Sequence, residues 1–160
     1  MKELLKTAGL ILGLILGLSL FVCAQTPLDD LRDTLPVKAS VSITDGMSVK
    51  FEIIKFEGCA VSWKSTYILN GAEQNASEIS FLLSDIDPGK LKIDASDKRG
   101  LLLLEFHTVK DEKDINTHSI LPGREKGALT QSAATVIYLR DRNYAEKALA
   151  NFADSIKKCL

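Results

Sequence analysis

The stretch Ser132 to Leu160, SAATVIYLRDRNYAEKALANFADSIKKCL, decides how the rest of the chain must be arranged. Its first part, Ala133 to Leu139, is rich in β-branched and aromatic residues and predicts a strand. Beyond Arg142 the period changes. Ala145, Ala148, Leu149, Phe152, Ile156 and Cys159 recur at spacings of three and four, which gathers them on one side of a helix. Glu146, Lys147, Asn151, Asp154, Lys157 and Lys158 occupy the remainder of its circumference. Asn143 and Glu146 have the spacing of a capping box, with Asn143 as the cap. Lys157 and Lys158 fall in the last turn, where the negative end of the helix dipole favours them. A single apolar stripe covers a single surface. The opposite face mixes both signs, unlike the basic face of a membrane-surface helix, so the helix is read as a cover for the core.

Upstream, from Val37, the period is two. Strands are predicted over Val37 to Ile43, from Val49 through Phe56, and over Cys59 to Leu69, with turns at Asp45-Gly46, Gly58 and Asn70-Gly71. Ile54 and Phe56 break the alternation set by Val49, Phe51 and Ile53, which predicts a bulge. Ile79, Phe81 and Leu83 mark another strand, and Leu91 and Ile93 a short one after Asp87-Pro88-Gly89; a turn follows at Asp97 to Gly100. Leu101 to Val109 is expected to form a hairpin with Ile115 to Leu121 across Asp111 to Asp114. Leu121 to Thr130 is the one long loop. The fold class is therefore mostly β: seven or eight short antiparallel strands over 37–160, forming a small barrel or sandwich capped by one C-terminal helix. Closure is favoured because open edges invite aggregation.

The first residues have another character. Lys2 and Lys6 precede an uncharged apolar run from Thr7 to Val22, and Val22-Cys23-Ala24 resembles a cleavage site before Gln25. This is the layout of a secretory signal peptide over 1–24, followed by a linker over 25–36. Two alternatives remain. Leu20-Phe21-Val22-Cys23 resembles a lipobox with Val22 in the place of a small residue, which would anchor the protein through lipid on Cys23. Gly9, Gly13 and Gly17 are spaced like a helix-dimerisation face, as in an uncleaved anchor. Either way the protein is read as exported, periplasmic or extracellular, and touches a membrane only through this segment.

Removing Cys23 from the three cysteines leaves Cys59 and Cys159, in a compartment that permits pairing. Closing a loop of about 100 residues contributes roughly 4–5 kcal/mol on the chain-entropy model. A bridge would fasten the helix to the sheet; the alternative is two separate buried thiols. The formal net charge is −1 with both signs scattered, and no basic stripe offers the electrostatic footprint of a nucleic-acid binder.

The order of elements over Val37 to Leu160 resembles a pleckstrin-homology-like (PH-like) domain. Phe56-Glu57-Gly58-Cys59, Leu83-Ser84-Asp85-Ile86-Asp87-Pro88 and the tail ending in Lys158-Cys159 are similar to uncharacterised exported bacterial proteins of that fold. The resemblance implies two orthogonal antiparallel sheets in a seven-stranded barrel, plugged at one end by the helix. Intracellular relatives often bind phosphoinositides through a basic loop between the first two strands. Here the corresponding turn, Thr44 to Met47, holds Asp45 and no Lys or Arg, so that binding mode is not carried over.

The chain has no G-x-S-x-G elbow, C-x-x-C, H-E-x-x-H or glycine-rich phosphate loop, and only two histidines. It is read as non-enzymatic and without a cofactor. One metal-site hypothesis follows from the expected hairpin: His107 would oppose His118, with Glu105 on the same strand face, a set that could hold Zn²⁺. Asp85, Asp87 and Asp94 around the Pro-Gly turn read as ordinary turn chemistry. Arg124 and Lys126 make the long loop locally basic and a candidate binding loop. The leading expectation is an exported binding module for an unknown protein or small molecule. The alternatives are a carrier of a small apolar ligand inside the barrel and, more weakly, a metal-binding protein.

Overall fold

Turns at Asp45-Gly46, Gly58 and Asn70-Gly71 cut the alternating pattern into strands at the predicted places. The computed structural model describes residues 38–95, 100–121 and 127–160. The expected signal peptide, the linker, Asp97 to Arg99 of the expected turn before Gly100, Arg124 and Lys126 lie outside the described residues. Nine strands are present among those described: β1 Lys38–Thr44, β2 Met47–Glu57, β3 Ala60–Leu69, β4 Ala72–Leu82, β5 Lys92–Asp94, β6 Leu102–His107, β7 Ile115–Ile120, β8 Leu129–Ser132 and β9 Ala134–Leu139. One helix follows, α1, Arg142–Cys159. The β1–β2 and β3–β4 turns meet where the Asn70 amide donates to the Gly46 carbonyl at 2.6 Å. Gly46 (φ 74°) and Asn70 (φ 51°) both adopt the left-handed conformation that Gly and Asn tolerate best. The bulge expected near Ile54 lies between Ile53 and Lys55.

The strands form two antiparallel sheets, one of six strands in the order β1-β2-β3-β4-β7-β8 and one of three in the order β5-β6-β9. The closed barrel is corrected to a sandwich-like pair of sheets: no ladder joins β1 to β9 among the described residues. At that seam the Arg140 guanidinium donates twice to the Ser42 carbonyl, at 3.0 and 2.7 Å, occupying an acceptor on the β1 edge. The expected hairpin is corrected too. β6 pairs with β5 and β9, whereas β7 pairs with β4 and β8. After His107 the chain makes a 3-10 turn over Val109–Asp111, with Lys110 and Asp111 at φ 57° and 58°, and crosses to the other sheet instead of doubling back. The long loop is shorter than expected, since Leu129 to Ser132 pairs with β7 as β8.

The chain changes sheet three times, and the crossings meet at Thr108, which is fully buried. Thr108 bridges to Ile86 on the β4–β5 crossing. Its amide donates to the carbonyl of Ala133, on the β8–β9 crossing, at 2.9 Å. Its hydroxyl proton is shared between the carbonyls of Ala133 and Glu112.

The core is a chain of rings. Trp63 of β3 meets Phe51, Phe81 and Phe106 at centroid distances of 5.9, 5.3 and 5.7 Å. Phe106 of β6 packs edge-on to Phe152 of α1 at 4.8 Å. The helix buries Ala145, Ala148, Phe152 and Ile156 of the predicted stripe completely, with Leu149 and Cys159 packed partly against the same cluster. Its cap is Asp141, which accepts from the Tyr144 amide at 2.8 Å, and not Asn143. The helix starts at Arg142, so Asn143 already lies inside its first turn. Cys159 is bonded to Cys59 in the β2–β3 turn, with Cα atoms 5.9 Å apart.

Two stability measurements check this account. Replacing Cys59 and Cys159 by Ser lowers the unfolding free energy by roughly 3–5 kcal/mol, read from denaturant midpoints against the oxidised protein; an unchanged midpoint would refute the stapling role. Thr108→Val, which keeps the shape and removes the hydroxyl, costs about 1–3 kcal/mol in the same assay.

Candidate functional site

Strand register assembles a site from residues distant in sequence. Lys55 of β2 stands opposite Ser62 of β3, Ser62 opposite Ser80 of β4, Ser80 opposite Asn116 of β7, and Asn116 opposite Gln131 of β8. Their neighbours Val61, Phe81 and Ile115 are buried in or against the ring core, so alternation puts this row on the opposite face. The five residues contribute to an open concavity of about 550 Å³, together with Leu82, Glu78, Asp85 and Asp114. Ser62 is only 8% exposed although it faces away from the core, which places it at the floor. The Gln131 amide donates to the Asn116 carbonyl oxygen at 3.1 Å, fixing both amide groups.

Three carboxylates and one ammonium group line the concavity, and Lys55 is partly engaged. Its ammonium lies 2.6 Å from Glu57, whose carboxyl is held below its usual range by the hydrogen bond and the charge of that lysine. One row further, Lys64, Glu78 and His118 are successive cross-strand partners. The arrangement offers hydroxyl and amide groups that both donate and accept, flanked by negative charge. Those are the groups that recognise amides and ammonium ions.

Of the expected metal set only Glu105 and His107 are brought together, and His118 is not. Glu105 and His107 lie side by side on β6, with His107 Nε2 3.3 Å from Glu105 Oε2. The same oxygen accepts from Lys92 Nζ at 3.2 Å. His107 faces Ala134 rather than His118. His118 belongs to the six-stranded sheet, between Glu78 and Leu129. Among the described residues no three His, Cys, Asp or Glu side chains are grouped to hold a metal ion.

A second recess lies between the sheets. Ser65, Tyr67, Ser77, Ile79 and Thr117 from the larger sheet face Thr135, Val136 and Tyr138 from β9 across about 180 Å³. The Tyr67 phenol is pushed up to about 12, chiefly by burial and then by the neighbouring, hydrogen-bonded Tyr138. Tyr144, on the helix, is pushed up to about 12 by burial alone.

The chain matches no family model, and no curated protein or solved structure is significantly similar to it. The sequence did carry a partial signal for the outer row: Ser62 and Ser80 each lie between two strongly apolar residues, and Asn116 follows Ile115. What it lacked was the register that aligns them.

The raised phenols predict an alkaline limit to stability. Neutral Tyr67 and Tyr144 are favoured in the folded protein, so their contribution is complete below pH 10, the ordinary phenol value, and is lost as pH rises toward about 12. Phenolate absorbance should show two of the three tyrosines titrating near 12 in the folded protein. Those two should titrate at about 10 in denaturant. Ordinary phenols at Tyr67 and Tyr144 in the folded state would contradict it.

Proposed function

We propose that this protein is an exported, non-enzymatic binding module, akin in architecture to PH-like domains, that receives a polar partner in the concavity of its six-stranded sheet. The observation that carries the reading is the row Lys55–Ser62–Ser80–Asn116–Gln131, in register across five adjacent strands. Side chains on neighbouring strands of one sheet keep fixed separations, so such a row presents hydrogen-bonding groups with little ordering cost on binding. The hydroxyls have amides and a lysine as row neighbours, in place of the imidazole that would activate them as nucleophiles. Glu78, Asp85 and Asp114 favour a partner segment that carries ammonium as well as amide groups, as a peptide does.

Export draws its support from the signal-peptide layout of residues 1–24 together with the Cys59–Cys159 bridge, which an oxidising compartment sustains. The apolar-carrier alternative has less in its favour. The middle of the inter-sheet space is filled by Phe51, Trp63, Phe81, Phe106 and Phe152, and the recess beside them is lined largely by hydroxyls.

The test is cross-linking in the exported fraction of the producing cell, with Asn116→Arg as the blocking variant. Cross-linked partner peptides should map to the row on the wild type and disappear in the variant, while the recovered chain begins at Gln25. Cross-links that map elsewhere or persist in Asn116→Arg would overturn the site, and retention of the protein in the cytoplasm would overturn export.

A further inference from the structure

We propose a second ligand site, independent of the outer row: the recess between the two sheets binds a single uncharged, polyhydroxylated ring, the chemistry of a monosaccharide. The inward face of the six-stranded sheet changes character along the strands. The row Ile53–Trp63–Ile79 is apolar and belongs to the core, yet it continues onto Thr117. The next row away begins with Phe51 and continues as Ser65, Ser77 and Ser119. Beyond it Tyr67 stands opposite Val49.

These positions point where a sandwich ordinarily places its aliphatic side chains. Valine or leucine there would extend the core and close the gap. Instead Ser65, Ser77 and Thr117 meet Thr135 and Tyr138 of the opposing sheet, with Tyr67 beside them, around an opening of about 180 Å³. At about 30 Å³ per water, that is room for about six waters, the space of one sugar ring.

The lining selects by chemistry. It carries no ionised side chain, so it offers nothing to compensate the lost hydration of an ion. The Tyr67 and Tyr138 hydroxyls bond each other, and an apolar ligand would leave those of Ser65, Ser77, Thr117 and Thr135 without the hydrogen bonds that water gave them. A ring bearing several hydroxyls satisfies them, because every Ser, Thr and Tyr hydroxyl both donates and accepts. Tyr67 and Tyr138 add ring faces beside their phenols, suited to a ligand with one polar rim and one C–H face. The aliphatic side chains of Ile79 and Val136 complete the wall.

The probes are D-glucose, D-galactose and D-glucitol, with cyclohexanol as the apolar control, titrated into the oxidised, isotope-labelled protein and followed by amide NMR shifts. At least one sugar or polyol should give saturable shifts confined to residues around 65–67, 77, 117 and 135–138. The pair Ser77→Ala/Thr117→Val should weaken that binding about tenfold or more. Tyr67→Phe/Tyr138→Phe, which keeps the rings, gives the same reading should the first pair fail to fold. Ser80→Arg, in the outer concavity, should leave the affinity unchanged, which separates this site from the partner surface. The proposal is overturned by no saturable shift with any of the three polyols, by cyclohexanol binding as well as they do, or by affinity indifferent to both pairs.

Discussion

Thr108 holds two sheets that share no strand. Each of the three passages between them leaves backbone groups that cannot join a ladder, and a buried group without a partner is costly. Gathering the passages at one residue solves the problem locally. The β4–β5 passage is bridged at Ile86, the β8–β9 passage is held through the carbonyl of Ala133, and the β6–β7 passage is Thr108 itself. The Asp87 amide, which donates to His107 at 2.9 Å, extends the same junction by one residue. A Thr suits the position because it is β-branched for the extended backbone and still carries a hydroxyl for the carbonyls around it.

Two residues before this junction, Phe106 touches Trp63 and Phe81 on one side and Phe152 on the other. The larger sheet, the smaller sheet and the helix therefore meet in one ring contact. The disulfide acts at the periphery of that contact: it ties the last turn of α1 to the β2–β3 turn, and the Leu83 amide bonds the Cys59 carbonyl at 2.8 Å. The helix is thus located twice, by packing along its stripe and covalently at its end. Of the two, packing sets the position and the bridge limits how far the denatured chain can wander.

The fold was legible in the sequence wherever the signal is local. The helical stripe, the turns at Asp45-Gly46 and Asn70-Gly71, and the bulge at Ile54 are properties of a few consecutive residues. The cap was misassigned by two positions because both Asp141 and Asn143 can accept from an amide three residues on, and only the true start of the helix decides between them. Pairing was less legible. Leu101 to Val109 and Ile115 to Leu121 look like hairpin partners in every local respect. What separates them is the tertiary demand at Thr108 and the left-handed pair Lys110-Asp111. The metal hypothesis rested on that pairing, whereas the polar positions of the outer row line up only when four registers are known together.

The asymmetry of the inter-sheet space follows from having one helix. Two sheets that diverge leave an opening at more than one side, and an amphipathic helix with a single stripe can cover only one of them. Toward α1 the strands contribute Phe56, Val61 and Phe81, which share one buried cluster with Phe152 and Ile156. Away from it a smaller apolar cluster of Ile43, Val49 and Leu101 covers β1 and β2, and on β3, β4 and β7 the inward positions change to Ser65, Ser77 and Thr117. Aliphatic side chains at an uncovered opening would face water and invite association with another chain. Hydroxyls remain compatible with water there, and they make the opening polar. The plugged side and the hydroxyl-lined side are therefore two consequences of one constraint, the supply of apolar cover, and the smaller recess lies where neither α1 nor the Ile43–Val49–Leu101 cluster supplies it.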